Sequence, residues 1–329
     1  MSGSRDQPAP PVQAPAVRPA GRRVHPLPKA SPRELRLAEF AAVGVMAIWA
    51  GNFVVVKAAL RELPPVGYAS VRFLIAGLLL IVFCRWREGS VGLPRRDLLP
   101  VAVLGAVGFG LYQVLWSTAL LHSTAGNSAL IIGSTPILTM LVAVAIGSDT
   151  FSRAKAVGAL VSFVGLGLVI GAGAGFSLGD HLAGDLMTLV AALCWACYVS
   201  FGAPVLRRHS PLRTSAWTIL SGTAVMAPLG LWQLAQADLS LVTPAGGLAI
   251  AYSALLAGAL GNVVVFEGIR LLGPTRITNL QFLPPALAVI LAAIFLGETI
   301  HPGQVAGGLV IVLGILLARR EGTRPRRLS

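Results

Sequence analysis

A length of 329 residues allows two soluble domains, but 55% of the residues are hydrophobic, 12% are charged and the mean hydropathy is +0.77. A soluble domain is typically about a quarter charged, so this composition excludes an ordinary water-facing surface and suits lipid. The net charge of +13 does not mark a nucleic-acid binder, because Lys and Arg lie between apolar runs and in the two tails, with no basic face interleaved with aromatics.

Residues 1–36 carry eight prolines and seven basic residues with almost no aliphatic periodicity. That is the composition of a disordered tail, and the first apolar run begins too late and is too long for a signal peptide. Runs of about 20 apolar residues then succeed one another, the length that crosses ~30 Å of hydrocarbon. Spans are expected at 38–58, 66–86, 99–121, 124–146, 154–174, 182–204, 213–233, 247–269, 274–297 and 302–319. His122-Ser123 is expected to separate two spans, although the gap is short. A second basic tail occupies 321–329.

Basic residues test this count. With the N-terminus in the cytoplasm and ten crossings, 23 of the 26 Lys and Arg fall in inner segments and only Arg61 falls in an outer loop. Lys57 and Arg72 lie in or at the edge of spans. Cytoplasmic loops carry such an excess, so both termini are expected in the cytoplasm of a plasma membrane, here a bacterial inner membrane.

A pattern recurs at a constant offset of 149 residues: Pro136, Asp149, Gly158 and Gly165, then Pro285, Glu298, Gly307 and Gly314. Trp49-Ala50 and Trp195-Ala196, and Pro65 and Pro211, repeat at an offset of 146. The chain therefore divides into halves, 37–175 and 176–320, of five spans each. An odd number of spans makes the second half enter from the opposite side. The expected fold is an all-α polytopic membrane protein of ten transmembrane helices in two inverted-topology five-helix repeats.

Several residues invite a role. Pro136 and Pro285, near mid-span, each remove a backbone hydrogen bond, as either a paired discontinuity beside a substrate path or a packing kink. The four repeat glycines suit close helix packing, within the protomer or at a homodimer contact. Asp149 and Glu298 are expected to start the helices that come after them. Arg72 stands about 9 Å inside span two at 1.5 Å per residue, where a charge is expensive and marks an interior functional site unless it snorkels. Lys57 lies nearer the outer end, where snorkelling competes equally. Asn52 holds either a substrate group or a neighbouring helix. Glu267 is expected to pair with Arg270 one turn later, or else to be a coupling carboxylate. Tyr112, Trp116, Trp195, Tyr198 and Gln281 either line a pocket or pack. Cys194 and Cys197 form a CxxC inside an apolar run and are read as small packing residues. No HExxH, GxSxG or P-loop is present, and all five histidines fall in tails or loops, so no metal, cofactor or catalytic apparatus is expected.

Trp49-Ala50-Gly51-Asn52-Phe53 with Lys57, Pro65 with Arg72, Gly273-Pro274-Thr275-Arg276, Pro285, Leu296-Gly297-Glu298-Thr299 and Gly307 together resemble the EamA-type ten-helix branch of the drug/metabolite transporter superfamily. The resemblance covers about residues 38–319 and departs at Ser148-Asp149, where the family usually has Gly-Glu. It implies a permease, often an exporter, of amino acids or other small metabolites, with a central cavity between two bundles. The resemblance carries no substrate motif; read as a secondary transporter working by alternating access, the chain is expected to turn Asn52, Arg72, Tyr112, Trp195 and Gln281 to the cavity, with proton coupling or passive exchange as the drive. The rival expectations are a membrane enzyme acting on a lipid-linked substrate and a non-transporting scaffold.

Overall fold

The computed structural model describes residues 31–148, 151–174, 180–206, 208–272, 277, 280–281 and 283–319. Among these, helices account for the regular structure. α1 is Pro32–Ala59 and starts six residues ahead of the expected span. The reason is local: Ser31 accepts from the Glu34 amide at 3.2 Å while Glu34 takes the Ser31 amide at 2.7 Å, a reciprocal capping box that extends the helix into the proline-rich segment.

α2 is Pro65–Glu88 and α3 is Arg95–His122, the latter passing through a π-helical stretch at Ala106–Leu111. α4, Ala125–Ala145, is broken at Ser134 into Ala125–Gly133 and Thr135–Ala145. α5 is Arg153–Ala174, α6 Asp180–Leu206 and α7 Pro211–Gln236. Pro244–Ala251, a π stretch at Tyr252–Leu260 and Gly261–Leu272 run on as α8. α9 is Leu283–Leu296 and α10 is Pro302–Arg319. Helices α1 to α8 are long and apolar enough to cross a membrane, and Leu283–Leu296 and Pro302–Ala318 are shorter apolar helices. The protein is a multi-pass membrane protein.

The two halves interlock rather than sit side by side. α2 packs on α7, α3 on α6, α1 on α9 and α5 on α10, each pair taking one helix from each half. The last pair explains the repeated glycines. A Cβ on Gly158 would lie 2.5 Å from the Gly314 carbonyl oxygen, and one on Gly165 would lie 2.6 Å from that of Gly307. The stripe therefore brings two helix backbones together inside one chain, as small residues do where lipid supplies no hydrophobic drive.

Two irregularities also repeat. The π stretches begin at Ala106 and Tyr252, at the offset of 146 seen in the sequence. Gly147 and Gly297 both hold a left-handed backbone, at φ 71° and 68°. Although Ser148 stands at the repeat position of Gly297, Gly147 one residue earlier makes the same left-handed turn.

Contacts between helix ends sort the connections into two groups. Glu88 and buried Asp97 meet Arg213, Arg208 and His209, and Arg87 meets Glu267. Glu62 accepts from Thr243, while Lys57, Ser123, Asp185, Glu298 and Gln304 gather at the opposite helix ends.

Candidate functional site

The π stretch of α3 directs the next turn of side chains, Tyr112, Gln113 and Trp116, toward α2 and α6. Such bulges recur at functional sites because the extra residue re-aims the side chains of the next turn. Opposite them on α2, Arg72 is 3% exposed, so it does not snorkel. Its Nη2 donates to Gln113 Oε1 at 2.8 Å. The guanidinium carbon stands 4.5 Å from the Phe73 ring centre, 5.5 Å from Tyr68 and 5.6 Å from Trp116. Its Nε has no hydrogen-bond partner among the described residues, nor has the buried Ser117 hydroxyl. Among the described residues no carboxylate forms an ion pair with Arg72.

The rings beside this guanidinium come from the first half, and they continue through Tyr112 and Phe109 into Trp195 and Tyr198 of the second. Tyr112 stacks nearly parallel on Trp116, with ring centres 6.3 Å apart and planes at 5°. Trp195 of α6 lies 5.5 Å from Tyr112, 5.6 Å from Phe109 and 5.0 Å from Tyr198. Trp116 Nε1 donates to the buried Ser128 hydroxyl at 3.0 Å, which holds the ring in place. A desolvated cation beside aromatic faces is stabilised by their quadrupoles. Even so, a guanidinium with an unused N–H in apolar surroundings favours an anion that accepts from it.

Asn52 belongs to an adjoining network. Its Oδ1 accepts from Ser253 Oγ at 2.6 Å; that hydroxyl lies 2.6 Å from the Tyr68 hydroxyl, which donates to the Ala249 carbonyl at 3.0 Å. Asn52 thus holds α1 to α8 through the second π stretch. Tyr68 belongs to this network and also flanks Arg72, so the two join.

The prolines mark breaks rather than mid-helix kinks. Pro136 sits in the first turn after Ser134, a position that tolerates proline. There the Ser134 and Thr135 hydroxyls donate to the carbonyls of Ile131 and Ile132 at 2.7 and 2.5 Å, beside the Ser134 amide that also donates to the Ile131 carbonyl at 3.0 Å. Pro285 lies in the first turn of α9, and its ring would come within 2.8 Å of a Cβ on Gly133. The two interruptions therefore face each other. Pro285 and Gly133 line an apolar groove of about 300 Å³ with Leu130, Val289, Gln304 and Gly308.

Other expectations fall elsewhere. Gln281 is exposed in the turn before α9 and does not join the aromatic group. Glu267 pairs with Arg87 of the other half at 3.0 Å, both side chains being roughly half exposed; the Arg270 side chain lies outside the described residues. Lys57 donates to the carbonyls of Leu120 and Ser123, closing the C-terminus of α3. Asp149 lies outside the described residues, as does Gly273-Pro274-Thr275-Arg276. Glu298 does cap a helix, but not its own: it accepts from the amides of Ala125 and Gly126 at the start of α4.

Sequence reasoning passed over Gln113, Ser253, Asn127, Asp185 and Gln304. Each is a polar residue inside an apolar run, and that alone was the available signal.

The model of the EamA-like transporter family matches residues 36–171 and 182–320, one copy in each half. A protein of Streptantibioticus cattleyicolor named "Probable terminal-alkyne amino-acid exporter" is 26% identical over 89% of this chain and 97% of its own. A Salmonella typhimurium protein named "Probable amino-acid metabolite efflux pump" is 27% identical over 88% of this chain and 97% of its own. A solved crystal structure with 19% identity superposes over 88% of this chain and 99% of its own at a TM-score of 0.60, a likeness of fold alone.

Proposed function

The chain belongs to the EamA-like transporter family, and on that premise we propose that it exports a small carboxylate-bearing metabolite of the amino-acid type across the bacterial inner membrane. The observation that carries this reading is Arg72, buried without an acidic partner among the described residues, its Nε unused, beside an aromatic group built from both halves. A substrate carboxylate accepts from the guanidinium, and its side chain stacks on Tyr112 and Trp195. The names of two relatives as amino-acid exporters or efflux pumps support that class.

The mechanism proposed is alternating access by ten spans in two inverted repeats, with both termini cytoplasmic. The 23-to-1 distribution of basic residues and the two groups of helix-end contacts support this topology. Binding between inverted halves is a recurring plan of secondary transporters. Asn52 acts as the hinge-side tie, and Pro136 and Pro285 as facing breaks that let α4 and α9 flex. Reconstitution into liposomes preloaded with mixed amino acids, then counterflow of labelled amino acids, tests the reading. Counterflow that persists unchanged in Arg72→Ala removes Arg72 from the substrate site.

A further inference from the structure

At the end of the molecule opposite the Glu88–Arg213 pair, one carboxylate is buried without a cation paired to it among the described residues. Asp185, in the second turn of α6, is fully buried. It accepts from the Ser123 hydroxyl and, at 2.9 Å, from Asn127 Nδ2. Asn127 Oδ1 in turn accepts from Gln304 Nε2 at 2.5 Å, and Gln304 Oε1 accepts from the His301 amide at 2.9 Å. Ser123, Asn127 and Gln304 are all buried. This chain of bonds ties α6 and α10 of the second half to the α3–α4 turn of the first. The turn is also seated directly on α6, since a Cβ on Gly184 would lie 2.7 Å from the Ser123 nitrogen.

The geometry accommodates Asp185 in either protonation state. Ionised, it accepts both bonds. Protonated on Oδ1, it donates to Ser123 Oγ, whose own hydrogen has an acceptor waiting in the Thr124 carbonyl at 3.3 Å. The second carboxyl oxygen still accepts from Asn127. No buried donor or acceptor is orphaned by the exchange, which is what a reversible proton site requires. The energies differ, however: charge-assisted hydrogen bonds are roughly twice as strong as neutral ones, so protonation weakens the tie between the halves.

The charged and titratable groups around it are His181 on its own helix, His122 at the end of α3, Lys57 on α1, and Glu298 and His301 between α9 and α10. Lys57, the nearby lysine, is engaged with the Leu120 and Ser123 carbonyls and forms no ion pair with Asp185 among the described residues, while the Glu298 carboxylate is held by the α4 amides.

We propose that Asp185 is the proton-binding group of this transporter, and that its protonation loosens the Ser123–Asn127–Gln304 clamp that closes one end of the molecule. That this end is the outer one rests on the topology proposed above. With that topology, a proton arriving from outside opens the exit side, as an exporter driven by proton entry needs.

The test is hydrogen–deuterium exchange on the full chain in lipid nanodiscs, corrected for intrinsic pH dependence, and it requires no substrate. Exchange at 119–127 and 298–305 is expected to rise at least about threefold on acidification of wild type. It is expected to be already high and indifferent to pH in Asp185→Asn, and to keep its pH response in His181→Gln and His301→Gln. A pH response that survives Asp185→Asn, or that either histidine variant abolishes, overturns the proposal. Should Asp185→Asn fail to fold, Ser123→Ala decides. Loss of the hydroxyl that donates to the carboxylate is expected to move the midpoint of the response upward by about half a pH unit or more, and an unmoved midpoint overturns the assignment. Because substrate plays no part, failure at Arg72 and failure at Asp185 are read separately.

Discussion

Glu298 caps a helix whose first residue, Ala125, lies 173 positions earlier in the chain, its two carboxylate oxygens taking the Ala125 and Gly126 amides at 2.8 and 3.0 Å. A carboxylate at a helix N-terminus satisfies otherwise free amides and complements the helix dipole. Here it also holds the C-terminus of α9 against α4 across the two halves. Glu298→Ala is expected to destabilise the protein by about 1–2 kcal/mol, and Glu298→Gln by less, because its amide oxygen still accepts. Melting temperatures of the detergent-solubilised variants check the order: wild type, then Gln, then Ala.

Gly165 and Gly167 lie two residues apart on α5 and predict opposite outcomes. A Cβ at Gly165 would lie 2.6 Å from the Gly307 carbonyl oxygen, whereas one at Gly167 meets nothing within 4 Å among the described residues. Gly165→Ala forces α5 and α10 apart and is expected to lose about 1–3 kcal/mol. Gly167→Ala gains helix propensity, up to about 1 kcal/mol. The comparison is made by thermal unfolding of the two variants in the same detergent.

Arg72→Lys separates charge from geometry. The planar guanidinium meets Gln113 and keeps an N–H for a carboxylate, whereas an ammonium is a compact point charge without that fork. Arg72→Ala is expected to reduce amino-acid counterflow at least about tenfold, equivalent to ~1.4 kcal/mol. Arg72→Lys is expected to fall between it and wild type. Equal rates in all three would remove the carboxylate assignment.

Arg87 and Glu267 pair at 3.0 Å while remaining roughly half exposed. An exposed ion pair contributes little, about 0–1 kcal/mol. A double-mutant cycle with Arg87→Gln and Glu267→Gln is therefore expected to return a coupling below ~1 kcal/mol in stability. Any dependence of transport on a pH gradient is expected to survive Glu267→Gln. Loss of that dependence would return the coupling role to Glu267.

Much of the architecture was legible because its causes are local. Apolar runs long enough to cross a bilayer depend on neighbours a few residues apart, as do the Ser31–Glu34 cap that starts α1 and the left-handed turn at Gly147, although the expected start at residue 38 missed the cap and the expected turn did not include Gly147. The repeated offset relates Pro136 to Pro285 and one glycine stripe to the other, while leaving open whether the stripes meet within one protomer or between two. Arg72 stood out for a similar reason, since a charge inside an apolar run conflicts with its own surroundings. The π stretches left no such mark, as an inserted residue changes no local composition.

By itself, then, the sequence determined a membrane-embedded duplicated chain, its helix punctuation and the residues too polar for their setting. Only the tertiary structure decided whom those residues meet. Glu298 reaches α4 instead of α10, Glu267 reaches Arg87 across the halves, and Asp185 is enclosed by Ser123 and Asn127 from the other repeat. Helices and turns arise from bonds between near neighbours, whereas a side chain's partner depends on how whole helices pack. In two interlocked repeats that partner lies a hundred or more residues away as readily as one turn along.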